Sequence, residues 1–426
     1  MEFDPIGLGR NVLQIIGASW WFLLPVGLFL IWHELWLWGL NQLWREQLQW
    51  TLLEIKIPRD ILKTPKAMEN VFAALHAMHS KSIDFEDIYF KGEELLWFTC
   101  ELVGYGGGIG FYIRCPKGFR NLVESAIYSE YPDAEVTEAE DYTQLLPEVL
   151  PNDIYDLWGN DWILARESPY PIRTYPFFEA NVDEQRLDPV SAITEVMSRL
   201  REGEAIWLQF LIRPVSDKWK KEGEDIRDKM MQRKKEKEKT LFDGLIDGLV
   251  QFFKNLSLAV IEYPTWPDQD TKEERMFFLN LSPGERLVLE GVENKISKLG
   301  FETAIRFVYI DKADSFSSAN IVGINGAIKQ WNTQDMNGFK LLKETRTYVT
   351  SRKLTYKSWF RKRRIFYLKR LIYDYYKLRW FPPKFSVMNT EELATVFHFP
   401  LTTVESPLLR RLQSKKGEPP FNIPLE

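Results

Sequence analysis

The sequence has few of the side chains that most enzymes use for covalent or metal chemistry. Only two of its 426 residues are cysteines, Cys100 and Cys115, and only four are histidines. Two cysteines cannot build a disulfide framework or a four-cysteine zinc site. No Gly-Lys dipeptide occurs, which excludes a Walker A phosphate loop, and the glycine-rich stretch 104–110 lacks the spacing of a dinucleotide-binding loop. We therefore expect a protein that is not an enzyme and has no cofactor or metal.

A strong excess of charge of one sign is also missing. The chain has 55 Lys and Arg residues against 60 Asp and Glu residues, which gives a net charge of −5. The chain as a whole is therefore no nucleic-acid-coating protein, and any basic surface must be local. Its 45% hydrophobic and 27% charged residues are typical of globular proteins. Since one domain usually takes about 100–200 residues, we expect two or three folded units.

Charged residues are absent from one long run near the start of the chain. Val12–Trp32 has 21 residues without Asp, Glu, Lys or Arg, enough for a helix to cross the hydrocarbon layer of about 30 Å. A signal peptide is the alternative, but Arg10 is the only positive residue before the run, and no small-residue cleavage site follows it. The sequence predicts a transmembrane helix over about residues 12–38. Its predicted anchoring tryptophans are Trp20, Trp21, Trp32, Trp36 and Trp38.

Positive residues cluster after this predicted helix rather than before it. They begin at Arg45 and continue through Lys56, Arg59, Lys63 and Lys66. Because loops rich in Lys and Arg stay on the cytoplasmic side, the pattern predicts a single-pass protein of the inner (cytoplasmic) membrane. Everything after the helix is then expected in the cytoplasm.

Residues 51–146 have the pattern of one ferredoxin-like unit. A strand at Thr51–Ile57 precedes a helix with Thr64 and Pro65 at its start. Two further strand-like runs lie on either side of the glycine-rich stretch 104–108. A second helix at about Lys117–Tyr131 leads to a last strand. This β-α-β-β-α-β order is that of the split βαβ motif. With a turn at Gly107-Gly108, Cys100 would lie opposite Cys115 and Glu101 opposite Arg114.

A second ferredoxin-like unit is predicted over residues 152–345. A strand, a helix started by Asp188-Pro189 and an apolar strand at Ala205–Arg213 are followed by a charged and amphipathic insert at 216–280. The expected class is therefore α+β: an N-terminal segment 1–50, two ferredoxin-like halves, the second with a long helical insert, and a basic-aromatic helical region with a tail at 346–426. The insert itself is compatible with a membrane-surface segment or a flexible loop.

Basic and aromatic residues alternate over Arg352–Arg379, where Asp374 is the only acidic residue. Three interpretations are open: contact with nucleic acid, adhesion to anionic lipid head groups, and a helix whose aromatic face packs on the domain while its charges stay solvated. Candidate phosphate-binding residues, for nucleic acid or lipid, are Arg361, Lys362, Arg363, Arg364, Lys369 and Arg370.

Three segments in order carry a resemblance to a known family. Phe111–Glu135, Ile296–Arg306 and Asn389–Pro400 resemble segments of the membrane-anchored N-terminal region of type IV secretion and conjugation ATPases, chiefly from small-genome uncultivated bacteria. In that family the third segment, followed by Pro-Pro and Asn-x-Pro as in residues 419–424, leads into a FtsK/HerA-like motor domain. These 426 residues contain no such motor.

The resemblance implies a non-enzymatic, membrane-anchored cytoplasmic module of a type IV secretion or conjugation system. Such a module would dock a DNA-translocating ATPase or form its membrane-proximal part, with the motor supplied by a separate chain. The expected partners are the membrane, that separate ATPase, further copies of the chain in a homo-oligomer, and DNA. The alternative expectation is a membrane-tethered nucleic-acid-binding protein that uses the stripe 352–379.

Overall fold

Helices flank one large antiparallel sheet, so the expected α+β class is confirmed. The computed structural model describes residues 5–58, 63–79, 84–106, 108–179, 188–231, 281–348 and 361–400. The helices are α1 Pro5–Gln47, α2 Pro65–Leu75, α3 Arg120–Glu130, α4 Tyr175–Glu179, α5 Ser191–Ser198, α6 Lys220–Met230, α7 Pro283–Ile296, α8 Ser318–Lys329, α9 Arg361–Lys377 and α10 Thr390–Val396. The strands are β1 Trp50–Lys56, β2 Phe98–Tyr105, β3 Gly108–Pro116, β4 Glu135–Glu138, β5 Tyr155–Leu164, β6 Ala205–Pro214, β7 Gly300–Lys312, β8 Phe339–Leu341 and β9 Ser386–Asn389.

The described strands form a single sheet in the order β4-β1-β3-β2-β6-β7-β5-β8, and β9 pairs with the first residues of β7. Every pairing among them is antiparallel. One half of this sheet consists of β1–β4 and the other of β5–β8. When the strands are numbered 1 to 4 along the chain within each half, both halves have the spatial order 4-1-3-2 from the outer edge to the centre of the sheet. The two halves meet where the whole of β2 pairs with β6, from Phe98↔Ile212 to Tyr105↔Ala205. We refer to this junction as the seam.

Alternation along the strands divides the core into two layers. On one face, residues such as Leu102, Phe210 and Phe307 pack against α2, α3, α5, α8 and α10. On the other face, Trp207 and its neighbours pack beneath α9 and residues 142–150. Because successive side chains of a strand point to opposite faces, each central strand contributes to both layers. The seam is thus covered on both sides.

The hairpin β2–β3 forms where the sequence predicts it, but its register differs from the prediction. Cys100 lies opposite Ile113, and Glu101 lies opposite Tyr112 rather than Arg114. A register shifted by two residues keeps every side chain on its expected face, so the hydrophobic pattern could not distinguish the two registers. Cys100 and Cys115 are both free and buried.

The described part of the predicted basic-aromatic region 346–426 packs against both halves of the sheet. β9 extends the sheet beside β7, α9 covers one face at the seam, and α10 packs against α2 on the other face. Of the predicted insert 216–280, residues 216–231 contain α6, which packs against α7. The remainder of the insert lies outside the described residues.

α1 is a continuous helix that contains the predicted membrane segment, residues 12–38. The side chains of residues 12–16, 18–20 and 23 lie outside the described part of the structure. Among the helices of the described residues, none combines the length and the apolar character that crossing a membrane requires.

Candidate anchoring and docking surfaces

The C-terminal end of α1 is fixed to the sheet domain by Arg45. Its guanidinium donates to both carboxylate oxygens of Glu94, with Nε to Oε2 at 2.8 Å and Nη2 to Oε1 at 2.7 Å. Asn41 Nδ2 donates to the same carboxylate at 3.0 Å. The guanidinium carbon lies 4.3 Å from the ring centre of Trp380 and 5.9 Å from that of Trp97. A bidentate ion pair flanked by aromatic rings fixes the direction as well as the distance of the contact. This contact therefore orients the C-terminal end of α1 relative to the sheet domain.

Gly92 allows the chain to pass directly against α1. Its φ is +68°, and a Cβ there would lie 2.5 Å from the carbonyl carbon of Leu40. An L-residue in the left-handed region costs about 1–2 kcal/mol even without such a clash. Glycine at this position therefore lets residues 84–94 pack on α1.

Gly92→Ala is expected to loosen α1 from the domain, because the added methyl group must displace the Leu40 backbone. Spin labels at Leu43→Cys and Ser125→Cys, both exposed positions, would report the distance between α1 and α3. The distance distribution should be narrow in the parent chain and broad in the variant. Gly118→Ala is the matched control, since nothing lies within 4 Å of a Cβ there. Equal distributions in the two variants would contradict the role of Gly92.

Between residues 17 and 38, most of the described residues of α1 are exposed. Of the predicted anchoring tryptophans, Trp21 is 66% exposed, Trp32 54%, Trp36 50% and Trp38 58%, and the Trp20 side chain lies outside the described part of the structure. Trp32 lies beside Trp36, with ring centres 5.7 Å apart and the rings tilted by 30°. The domain therefore covers little of this apolar helix.

At the seam, the buried Glu101 of β2 accepts hydrogen bonds from four side chains. The donors are Thr99 Oγ1 at 2.8 Å, Tyr142 Oη at 2.7 Å, Gln209 Nε2 at 2.8 Å and Arg379 Nε at 3.1 Å. Glu101 is 0% exposed and Arg379 1%. A buried carboxylate is tolerated only when it is paired and hydrogen-bonded in this way.

Arg379 connects this carboxylate to the end of α9. It has a φ of 51°, and the backbone N–H groups of Arg379 and Trp380 donate to the carbonyls of Tyr376 and Tyr375, both at 3.0 Å. This pattern is a Schellman motif, in which glycine usually occupies the left-handed position. Arginine occupies it here while its side chain reaches Glu101 and, through Nη2, Asp141 Oδ1 at 2.9 Å. The helix end is thereby fastened to β2.

A row of four buried polar residues crosses the seam from strand to strand. Asp161, Arg306, Gln209 and Glu101 lie directly opposite one another on β5, β7, β6 and β2. Arg306 Nε donates to Asp161 Oδ1 at 2.9 Å, and its Nη1 donates to the carbonyl of Tyr375 at 2.8 Å. We call these four residues the polar row. Since Arg306 donates to Tyr375 of α9, and Arg379 at the end of that helix donates to Glu101, the row specifies where α9 sits on the sheet.

Burial alone raises the pKa of the Glu101 carboxyl, but the Arg379 guanidinium and the hydrogen bonds to the carboxylate outweigh it, and the pKa is below its usual range. Burial also raises the pKa of Asp141, but the hydrogen bonds from Arg379 and Thr143 and the charge of Arg379 outweigh it, so this pKa is lowered as well. For Arg379, the pKa is raised because the effect of Glu101 exceeds that of burial. All three groups are therefore charged in the folded protein at neutral pH.

The folded chain is expected to lose stability in acid because of these carboxylates. A carboxyl whose pKa is lower in the folded than in the unfolded state stabilises the fold above the unfolded value, and that stabilisation is lost as pH falls through the folded value. The loss should therefore begin below about pH 4, the ordinary carboxyl range. Urea unfolding at a series of pH values measures it. In the double variant Glu101→Gln, Arg379→Met the dependence should be shallower, and an unchanged slope would contradict the assignment.

The candidate phosphate-binding residues divide into two groups on α9. The first group, Arg361, Lys362, Arg363 and Arg364, is exposed at the start of the helix. Lys369 instead donates through Nζ to Asp156 Oδ2 at 2.7 Å, and the Arg370 guanidinium lies 5.9 Å from the ring centre of Phe366. The first group is available to a partner, whereas Lys369 holds α9 to β5.

Aromatic packing is confined to the second half of α9. Leu368, Ile372, Tyr373 and Tyr376 are buried on the sheet. Phe366 and Tyr367 are 48% and 62% exposed beside the basic residues. Trp359, also part of the predicted stripe, lies outside the described residues. The start of the helix thus combines exposed cations with exposed rings.

A cleft of about 460 Å³ opens between α7, α10 and residues 171–177. At its floor, Lys295 Nζ donates to Glu392 Oε1 at 3.0 Å, and both side chains are fully buried. Burial lowers the pKa of Lys295 more than Glu392 raises it. Lys298 Nζ donates to Glu69 Oε1 of α2 at 2.8 Å and also to Glu391 of α10. These charged groups pair with one another and fix α10 against α2 and α7.

Within the described ranges, no three His, Cys, Asp or Glu side chains converge closely enough to hold a metal ion.

Sequence reasoning missed the polar row and Arg379. A signal was present, because Glu101, Gln209 and Arg306 each interrupt an otherwise apolar strand. A charged residue inside such a strand must find a buried partner, but the sequence does not say which one.

Comparison with known proteins gives a family for most of the chain. The family model described as Domain of unknown function (DUF8128) matches residues 40–409. The matched region begins near the docked end of α1 and includes every described strand and α10. No curated protein matches the chain.

Proposed function

The chain belongs to the family described as Domain of unknown function (DUF8128), and we propose that it is a non-enzymatic, membrane-anchored module of a type IV secretion or conjugation system. In this proposal it docks a DNA-translocating ATPase, or forms the membrane-proximal part of one, and a separate chain supplies the motor. The observation that carries the proposal is the exposed apolar surface of α1, which the Arg45–Glu94 contact orients relative to the domain.

At residues 28–31, the exposure of α1 extends around its whole circumference. Four consecutive residues, Leu28, Phe29, Leu30 and Ile31, are 57–59% exposed. Because successive residues of a helix point about 100° apart, these four side chains cover every direction around the axis. A protein groove would cover one side of such a helix, whereas lipid covers all sides, with a gain of about 1.5–3 kcal/mol for each large apolar side chain. This supports insertion into a bilayer over use as a partner helix.

The direction of insertion follows from charge. Arg45 and the lysines and arginines after it lie beyond the apolar part of α1, so we propose a single pass through the inner membrane with the sheet domain in the cytoplasm. The Arg45–Glu94 pair would then lie just below the membrane surface and set the tilt of the domain.

Support for the secretion system comes from where the three resembling segments lie. Gly300 of the second segment pairs with Asn389, the first residue of the third segment, where β7 meets β9. Phe111 of the first segment lies 6.1 Å from Phe397 and 5.3 Å from Phe399, measured between ring centres. Residues of the three segments that are 89 to 288 positions apart in the sequence thus lie together in one part of the molecule.

We further propose that each half of the sheet is a ferredoxin-like unit. The order β4-β1-β3-β2 and the order β8-β5-β7-β6 both correspond to 4-1-3-2 counted within each half, and the helices of both halves lie on the same face. In this arrangement the edge strands β2 and β6 are paired with each other. Pairing removes two exposed edges, which otherwise invite association with other chains.

Purification of the full chain from a detergent extract tests the docking role. We expect an ATPase with a Walker A motif to co-purify in stoichiometric amount, and the mass of the complex reports whether the chain self-associates. If the chain is recovered without any ATPase but carries DNA that salt can remove, the result favours the alternative below.

The alternative is a membrane-tethered nucleic-acid-binding protein. It is favoured by one observation, the exposure of Arg361–Arg364 together with Phe366 and Tyr367. Cations bind backbone phosphates, and exposed rings can stack on bases.

Replacing Arg361, Lys362, Arg363 and Arg364 by alanine tests this alternative. If they contact phosphates of duplex DNA, affinity should fall and the slope of log K against log salt should become shallower by up to about 0.9 per lost contact. Fluorescence anisotropy with the full chain in detergent measures both. The matched control removes four other exposed cations, Lys117, Arg201, Lys329 and Lys343. An equal effect of the two variants would show that only net charge matters.

A further inference from the structure

A short segment beside α1 exposes large apolar side chains without an evident reason in the fold. Phe85 is 68% exposed, Ile88 38% and Phe90 71%. They lie in and next to a single π-helical turn, Asp87–Lys91. Single exposed apolar residues are common, but three within six residues form a patch that normally has a partner.

The position of this segment is fixed relative to α1. The ring of Tyr89 lies 5.8 Å from that of His33 and 4.2 Å from that of Phe85. His33 directly follows Trp32, the last residue of the uncharged run of α1. Gly92 then brings the chain against Leu40. The patch therefore lies at the height where α1 would leave the bilayer.

The charges around the patch restrict what can cover it. Residues 84–93 contain four carboxylates, Asp84, Glu86, Asp87 and Glu93, and one cation, Lys91. Lys91 Nζ donates to Asp87 Oδ1 at 2.7 Å. This surplus of negative charge repels nucleic acid and anionic head groups. Large apolar side chains such as those of Phe and Ile, in contrast, gain from burial at the boundary between head groups and acyl chains.

We propose that Phe85, Ile88 and Phe90 insert into the interface of the membrane next to α1, as a second lipid contact of the same module. The proposal rests on the membrane anchoring proposed above. It commits to lipid because the patch continues the apolar surface of α1 at the same height. With two contacts, the domain is held against the membrane in one orientation rather than only tethered to it.

Depth measurements on the full chain in phosphatidylcholine nanodiscs test the proposal. A fluorophore that reports polarity is attached to one new cysteine at a time, at Phe90→Cys, Val322→Cys or Leu30→Cys. Cys100 and Cys115 are buried in the folded protein and should not react. Val322 is the matched control, since it is an apolar residue of α8 with 68% exposure, close to that of Phe90. Nitroxide-labelled lipid serves as the quencher.

The label at Phe90 should be quenched and its emission shifted to the blue, while the label at Val322 should show neither change. Quenching at Leu30 without quenching at Phe90 would overturn the second contact and leave the anchor standing. No quenching at Leu30 would overturn the anchor itself. Exchanging part of the lipid for phosphatidylglycerol should leave the Phe90 signal unchanged or weaker. Quenching at Phe90 that requires anionic lipid would contradict insertion by aromatic side chains.

Discussion

Arg379→Met is expected to lower the free energy of unfolding by about 3–5 kcal/mol, the usual cost of removing one partner of a buried ion pair. The substitution leaves the Glu101 carboxylate buried without its cation and also removes two bonds to Asp141. Methionine keeps most of the volume, so the loss comes from charge rather than from a cavity. Urea unfolding of the full chain in detergent measures it.

Two further variants show that the loss comes from the unpaired carboxylate. Adding Glu101→Gln to Arg379→Met should recover part of the stability, because a neutral amide is less costly to bury than an unpaired charge. Arg364→Met, on the exposed part of α9, should change stability by less than about 0.5 kcal/mol. If Arg379→Met costs no more than Arg364→Met, the described ion pair does not stabilise the seam.

Trp207→Ala is expected to cost about 3–5 kcal/mol, because it opens a large cavity beneath α9. Trp207 is 1% exposed on β6, and its ring centre lies 5.1 Å from that of Tyr376 and 5.4 Å from that of Tyr142. These three rings fill the space between the seam and α9. Amide hydrogen exchange should therefore show faster exchange in α9, in addition to the lower midpoint of unfolding.

Trp207→Phe is the conservative comparison. It keeps an aromatic ring and removes the indole N–H, which is buried without a hydrogen-bond partner among the described residues, so its cost should be clearly smaller. Slow exchange in α9 despite Trp207→Ala would mean that the packing described here is not what holds the helix to the sheet.

Local structure could be predicted well from the sequence because its signals are local. Thr64 and Pro65 stand at the start of α2, where the sequence predicts a helix to begin. Alternation identified the faces of β2 and β3. The hairpin register was missed by two residues, since both registers place the same side chains in the core.

The contacts that assemble the molecule could not be predicted, because they join distant parts of the chain. Glu101 and Arg379 are 278 residues apart. Nothing near Glu101 in the sequence indicates that its partner lies at the end of a basic helix, and an opposite charge across the hairpin, Arg114, offered a closer candidate. Likewise the pairing of β2 with β6 depends on two edge strands with similar apolar patterns, and many strand pairs share such patterns.

For the candidate site, the sequence located the basic and aromatic residues but not their surroundings. It grouped Lys369 with Arg361–Arg364, whereas the structure pairs Lys369 with Asp156 on β5. Asp156 is 213 residues away in the sequence. Charge patterning shows that a face is basic, and only the fold shows which of its cations are already paired.

Membrane extraction combined with thiol labelling tests the central claim, that α1 anchors a cytoplasmic domain, most directly. The full chain carrying Val322→Cys is expressed in bacterial cells, and the membranes are washed with alkaline carbonate, which removes peripheral proteins. We expect the chain to stay in the membrane pellet, and residue 322 to react with an impermeant maleimide only after the cells are broken. Release into the supernatant, or labelling of residue 322 in intact cells whose outer membrane is permeabilised, would contradict the account.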